Sequence, residues 1–207
     1  GYRENDSLGG YDPYSCSKSA VELAGNSWRT SFFNLDKSNI FLATARAGNV
    51  IGGGDWSVDR IIPDLIRGLE SKKVIKIRNA NSIRPWQHVI EPLMGYISLA
   101  EKLYLEGSNY TEAFNFGPGF ESNKKVSELI EEVFNYWPGE ILIEDKKDEL
   151  HEANKLILSN EKAYRKLNWK PTWNFKETIE KTIIWYKKFY EGKKPIDCCL
   201  NDINCFL

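Results

Sequence analysis

A chain of 207 residues has room for one domain or for a domain and a half. Its side chains, 42% hydrophobic and 28% charged, suit an ordinary globular protein, and 28 basic against 29 acidic groups exclude the positive field of a nucleic-acid binder. No apolar run approaches a membrane span, no secretory pattern opens the sequence, and Cys16, Cys198, Cys199 and Cys205 match no zinc spacing; reduced cytoplasmic thiols and no metal are expected.

The opening residues, Gly1 to Gly10, are polar and turn-rich, begin without methionine and precede a helix with no strand to pack on. They predict a piece of a longer protein. Asp12 and Pro13 mark a helix start, and the helix is expected to run from 14 to about 33 with Ala20, Val21, Leu23 and Ala24 on a buried face. Tyr14 and Lys18 lie four residues apart, hence one turn apart on one side of that helix. An ammonium close to a phenol favours the phenolate, which makes Tyr14 a candidate general base toward a sugar or alcohol hydroxyl. The alternative is a solvated helical pair: Tyr190 and Lys194 share the spacing beside Gly192 and Pro195, where no buried site is expected.

Ile40 to Arg46 is an apolar run of strand length, suited to a buried parallel strand. It enters a glycine-dense loop, Ala47 to Trp56, placed where ligands of open α/β sheets sit, just beyond a strand's C-terminal end. Glycine there permits close backbone approach to a ligand; a surface loop is the other reading. A helix is predicted from about Asp59 to Glu70, a strand from Val74 to Arg78, and a helix from Glu91 to Glu106 with Pro92 in its first turn. Ala113 to Gly119 reads as a buried strand closing on a turn. Helices are predicted at Val126 to Trp137, around Glu161 to Leu167, and at Phe175 to Tyr190, with a break at Asn168 to Pro171. Helices alternating with single short strands make the class α/β.

Taken together, these segments resemble the extended short-chain dehydrogenase/reductases that act on nucleotide-sugars. Tyr14 and Lys18 match that family's Tyr-x-x-x-Lys pair, Arg46 to Gly52 its strand and loop beside nicotinamide and substrate, Arg84 to Val89 its arginine-aromatic segment, and Asn115 to Gly117 its Asn-x-Gly turn. The stretches 47–56, 59–64, 83–92, 115–118 and 151–158 are similar to the dehydratases of the family whose substrate is CDP-glucose. The likeness runs to about Tyr190, and the tail from Cys198 to Leu207 matches only loosely. The family's Gly-x-x-Gly-x-x-Gly motif and the acid and base that drive water loss have no counterpart in the 207 residues. The expected fold is therefore an incomplete Rossmann type: a remnant of the NAD-binding domain in 1–56, then a smaller substrate-binding α/β domain in 57–207 with segments returning to the sheet.

The resemblance implies tightly held NAD, conversion of CDP-glucose to CDP-4-keto-6-deoxyglucose for deoxysugar and surface-polysaccharide synthesis, and a cytoplasmic homodimer, with this chain inactive alone. An epimerase or reductase of the same family, or a non-catalytic binding remnant, is the alternative. By the same resemblance Tyr14 takes the proton of the 4-hydroxyl and Lys18 bonds the nicotinamide ribose. Ala47 and Asn49 adjoin the cofactor, and Asn49 also bonds the substrate diphosphate or sugar, a turn residue being its other reading. Arg84 meets the diphosphate through its forked guanidinium, a surface ion pair being the alternative, and Arg60, at the positive end of the helix it opens, is a second phosphate candidate. Trp86 either stacks near the cytosine or belongs to the core. His151 and Glu152 reach toward the nucleotide, His88 is a structural histidine, and Asn115 shapes its turn. The strand at Ile40 to Arg46 is expected to leave an unpaired edge, which predicts self-association of the isolated chain.

Overall fold

The computed structural model describes residues 1–10, 12–33, 39–77, 79–143 and 157–207. In chain order its elements are α1 (Pro13–Ser31), β1 (Thr44–Ala47), β2 (Val50–Ile51), α2 (Ile61–Glu70), β3 (Ile75–Ile77), β4 (Ile83–Pro85), β5 (Gln87–His88) and α3 (Ile90–Glu106). There follow β6 (Ala113–Phe116), β7 (Asn123–Lys125), α4 (Val126–Tyr136), β8 (Ile141–Ile143), α5 (Glu161–Leu167), α6 (Phe175–Tyr190) and α7 (Pro195–Phe206). The chain divides into two units. Gly1–Ala47, Pro92–Gly117 and Leu158–Lys170 form the first; Gly48–Glu91, Pro118–Ile157 and Pro171–Leu207 form the second.

In the first unit β1 lies parallel to β6, with Thr44 opposite Ala113 and Ala47 opposite Phe116. All four residues of β6 are buried, as a strand covered on both faces requires. Phe114 and Phe116 meet Leu99, Tyr110, Ala163, Leu167 and Trp169 in a small core, where Trp169 sets its ring edge-on to Phe116 at 5.1 Å. Asn168 ends α5 in the left-handed conformation (φ 52°), which is the predicted break. The polar opening residues are held on β6: Asn115 donates its backbone N–H to Glu4 Oε1 (2.8 Å) and its side-chain amide to the Tyr2 carbonyl (3.1 Å).

Two expectations for this unit need correction. The strand begins at Thr44, not at Ile40, and it is half-exposed rather than buried; Ile40 and Phe41 precede it, 55% and 36% exposed. Helix α1 forms where predicted, with Asp12 accepting the Ser15 N–H in a capping box, yet it buries no residue. Its partly covered positions are Ser15, Ser19, Glu22, Gly25 and Arg29, while Val21 and Leu23 face outward. The reason is local. Glu22 accepts from Thr44 Oγ1 (2.8 Å) and pairs with Arg46 (2.9 Å), so the helix meets β1 through a polar seam and turns its apolar side away.

The second unit has the larger core. Here β2 pairs parallel with β5, β3 parallel with β8, and β4 antiparallel with β7. Helix α2 buries Ile62, Leu65, Ile66 and Leu69, an i, i+3, i+4, i+7 stripe, against Leu129, Ile130 and Val133 of α4 and Ile179 and Ile183 of α6. Asp59 sits in the left-handed region (φ 58°), which delays the predicted helix to Ile61. Helix α6 has the predicted bounds, fixed by a capping box between Asn174 and Glu177. Helix α7 was not predicted: its cysteines and Asp202 hide an amphipathic pattern in which Cys198 and Asp202 point inward. The four cysteines are free, no helix is long and apolar enough to cross a membrane, and the described residues contain no metal-ligating cluster.

Candidate functional site

In the second unit the parallel pairing of β2 with β5 lays two sequence motifs side by side. Val50 and Ile51 stand opposite Gln87 and His88, and the Val89 N–H donates to the Ile51 carbonyl at 2.8 Å. The loop leaving β2 then walls a cavity of about 530 Å³, whose lining includes Asn49, Gly52, Gly53, Asp55, Arg60 and Trp86. A second cavity of about 280 Å³ is lined by Lys76, Asn79, Ser82 and Arg84. Both share Asn49, Asp59, Ile61 and Trp86. Of the predicted site residues, Asn49, Arg60, Arg84 and Trp86 are thus brought together on adjoining walls.

Their local settings differ. Arg60 is the exposed N-cap residue of α2 and supplies no side-chain cap, which leaves its guanidinium available to the cavity. Arg84, on β4, donates Nη1 to the neighbouring Ile83 carbonyl (3.0 Å) and turns to the smaller cavity. Trp86 is a core residue: it is buried, and its indole N–H donates to the Lys124 carbonyl at 2.9 Å. Only ring surface remains to face the two cavities. Burial raises the Asp55 carboxyl, but the Ser57 N–H and the Arg60 and Arg67 charges outweigh it and hold Asp55 below the ordinary carboxylate range.

His88 is buried to 3% exposure, with Nδ1 accepting the Ile90 N–H (3.4 Å) and Nε2 without a hydrogen bond 4.0 Å from Asp202. Burial, aided by the Lys181 charge, lowers its pKa to about 4, so it is neutral at ordinary pH. It is structural, though not fully satisfied. Asn115, buried in β6, likewise serves structure through Tyr2 and Glu4.

The loop glycines have a different use from the one composition suggests. A Cβ on Gly52 would stand 2.8 Å from Val89 Cγ1, and one on Gly53 would stand 2.0 Å from Trp185 Cδ2. The close approach they permit is to this protein's own side chains.

In the first unit, Tyr14 occupies the first turn of α1 and is 72% exposed. Lys18 Nζ lies 5.3 Å from the centroid of its ring, a cation–π contact across one turn. Ala47 closes β1 opposite Phe116. His151 and Glu152 fall outside the described residues.

Sequence reasoning passed over Asp59, Lys76, Asn79 and Ser82. The rule that placed a ligand beyond the strand ending at residue 46 applies equally after β3, where the polar run from Asn79 to Ser82 begins.

Comparison with known proteins gives a consistent picture. Residues 1–182 match the family model described as GDP-mannose 4,6 dehydratase. The chain is 43% identical over 211 residues to the CDP-glucose 4,6-dehydratase of Salmonella typhimurium, covering all of this chain and 59% of that protein. It is 23% identical to the mouse dTDP-D-glucose 4,6-dehydratase, covering 91% of this chain and 51% of the relative. Among solved structures, dTDP-glucose 4,6-dehydratase from Bacillus anthracis in complex with NAD superposes with a TM-score of 0.74 at 19% identity, over 94% of this chain and 58% of that one. The chain thus spans little more than half the length of the relatives it matches, and its α/β fold is of their Rossmann type.

Proposed function

Because this chain belongs to the GDP-mannose 4,6-dehydratase family, we propose that the protein it spans is an NAD-dependent dehydratase of CDP-glucose, yielding CDP-4-keto-6-deoxyglucose. The observation that carries the choice of nucleotide-sugar is the 43% identity over the whole chain, against 23% for the dTDP-glucose enzyme. The two adjoining cavities support it, since a nucleotide-sugar has two bulky ends joined by a diphosphate. In this reading the two cavities take the nucleotide and its diphosphate. Arg60 and Arg84 fork onto the diphosphate oxygens, and Asn49, common to both linings, bonds the bridge between them. Trp86 offers ring surface, its N–H being engaged elsewhere.

Tyr14 and Lys18 form the chemical pair. Their exposure and one-turn spacing suit them to a ribose and a sugar hydroxyl, and the ammonium has no carboxylate partner among the described residues. These two fit the nicotinamide end of NAD; the glycine-rich cradle motif for its diphosphate is not in this sequence. The chemistry NAD supplies when bound is reversible hydride acceptance. Tyr14 takes the proton of the 4-hydroxyl as carbon 4 is oxidised, and Lys18 holds the ribose. Oxidation at carbon 4 comes first because a 4-keto group acidifies the proton on carbon 5. The outward apolar side of α1 supports a homodimer contact through that helix, and the free cysteines support a cytoplasmic setting.

The test is a fluorescence titration of the chain, with its seven tryptophans as reporters, against CDP-glucose and dTDP-glucose. Saturation by CDP-glucose alone, weakened about tenfold or more in Arg84→Ala, is expected. Equal response to both sugars, or none from a folded chain, would overturn the assignment.

A further inference from the structure

The loop that walls the larger cavity is held from its far side by α6. Trp185 is buried against Gly53, where a Cβ would stand 2.0 and 2.1 Å from its Cδ2 and Cγ, so only glycine lets the indole lie flat under the backbone. The next residue of α6, Tyr186, donates its hydroxyl to the Asp55 carbonyl at 2.7 Å. Burial pushes that phenol up to about 12, which keeps it a donor at any ordinary pH. Trp56 then rests on Tyr186 and Phe189, with ring centroids 5.2 Å from each. From α2, Arg67 closes the other end, donating to the carbonyls of Trp56 and Ser57 at 3.1 Å each.

Gly52, Gly53 and Asp55 face the cavity, whereas Trp185 and Tyr186 are not part of its lining. Both also lie beyond residue 182, where the family match ends. We infer that Trp185 and Tyr186 are positioning residues: α6 fixes the shape of the 52–57 loop from behind and thereby sets the affinity for the nucleotide-sugar. This rests on the substrate reading above. The physical argument is that of preorganisation. A glycine-rich loop left free has many backbone states to lose on binding, and a buried hydroxyl and an indole remove most of them beforehand.

Tyr186→Phe tests this with little disturbance, because the ring stays and one hydrogen bond goes. Hydrogen–deuterium exchange of the full chain is expected to quicken about three- to tenfold over residues 52–58, with α4 unchanged, and the Kd for CDP-glucose to rise by a similar factor. Gly53→Ala is expected to weaken binding roughly tenfold, and Trp185→Leu in the same chain to recover part of that loss by making room for the methyl. Unchanged loop exchange in Tyr186→Phe would overturn the inference. So would faster exchange with unaltered affinity, or a Gly53→Ala defect that Trp185→Leu leaves in place. A parent chain that ignores CDP-glucose would overturn the substrate reading instead, and the exchange comparison would still decide whether α6 holds the loop.

Discussion

The two units bury their helices in opposite ways. In the second, α2, α4 and α6 each commit an apolar stripe to one core, and the cavities are built on that base. In the first, α1 carries the Tyr14–Lys18 pair on a helix of 19 residues that buries none of them and is seated by Glu22, Arg46, Thr44 and a Ser19 hydroxyl bonded to the Gly9 carbonyl. The cavities and the Tyr14–Lys18 pair therefore stand on foundations of unequal strength. A cavity wall is shaped by packing that also holds the unit together, while the phenol and ammonium ride on a helix that meets β1 through polar contacts.

The sharpest way to break this contrast is one substitution made twice. Leu129→Ala, in the second core, is expected to lower stability by about 2–5 kcal/mol in chemical denaturation, and Leu23→Ala, on α1, by no more than about 0.5 kcal/mol. Equal losses would mean that the apolar side of α1 is covered in solution. A pH series probes the same core more gently. The His88 pKa is lowered on folding from about 6.5 to about 4, so its stabilising contribution is complete above pH 6.5 and is lost as pH falls through that window, to an extent on the order of 3 kcal/mol. His88→Asn, which does not titrate there, is expected to flatten this part of the profile; parallel profiles would refute the assignment. Glu91 is next. Its buried carboxylate accepts the backbone N–H groups of Thr172 (2.9 Å) and Trp173 (2.6 Å), and Glu91→Ala is expected to cost about 1–3 kcal/mol by thermal unfolding. The smallest effect concerns association: Trp28→Glu, on the exposed side of α1, is expected to leave stability within about 0.5 kcal/mol and to reduce self-association in light scattering. An unchanged particle size in a chain that does associate would place the contact elsewhere.

Much of this was legible in the sequence where a residue's local chemistry agreed with its packing. The stripe of α2, the capping residues of α6 and the break at Asn168 all speak in periodicity or turn chemistry. Legibility failed where tertiary partners reversed the local signal. Ala20, Val21, Leu23 and Ala24 look like a buried face, but the Glu22–Arg46 pair, 24 residues apart in sequence, fixes the opposite side to the strand. The run Cys198-Cys199-Leu200-Asn201-Asp202 carried no helix expectation, and its inward side comes from tertiary packing: Cys198 joins the larger core and Phe206 sets its ring edge-on to Trp173. In the candidate site, Asn49, Arg60 and Arg84 were visible because their motifs are short and local. Trp185 and Tyr186 were not, because their partner is a glycine, and an absent side chain leaves no trace in composition.

The interlock of Gly53 with Trp185 also constrains how such a protein can be changed, by selection or by design. A loop transplanted from another protein arrives shaped for another helix. With any side chain at position 53 it meets an indole that has nowhere to retreat, since Phe189 stacks on it with planes 12° apart. Loop and helix form one cassette, separated by some 130 positions in sequence, and an exchange has to move residues 52–57 and 185–189 together.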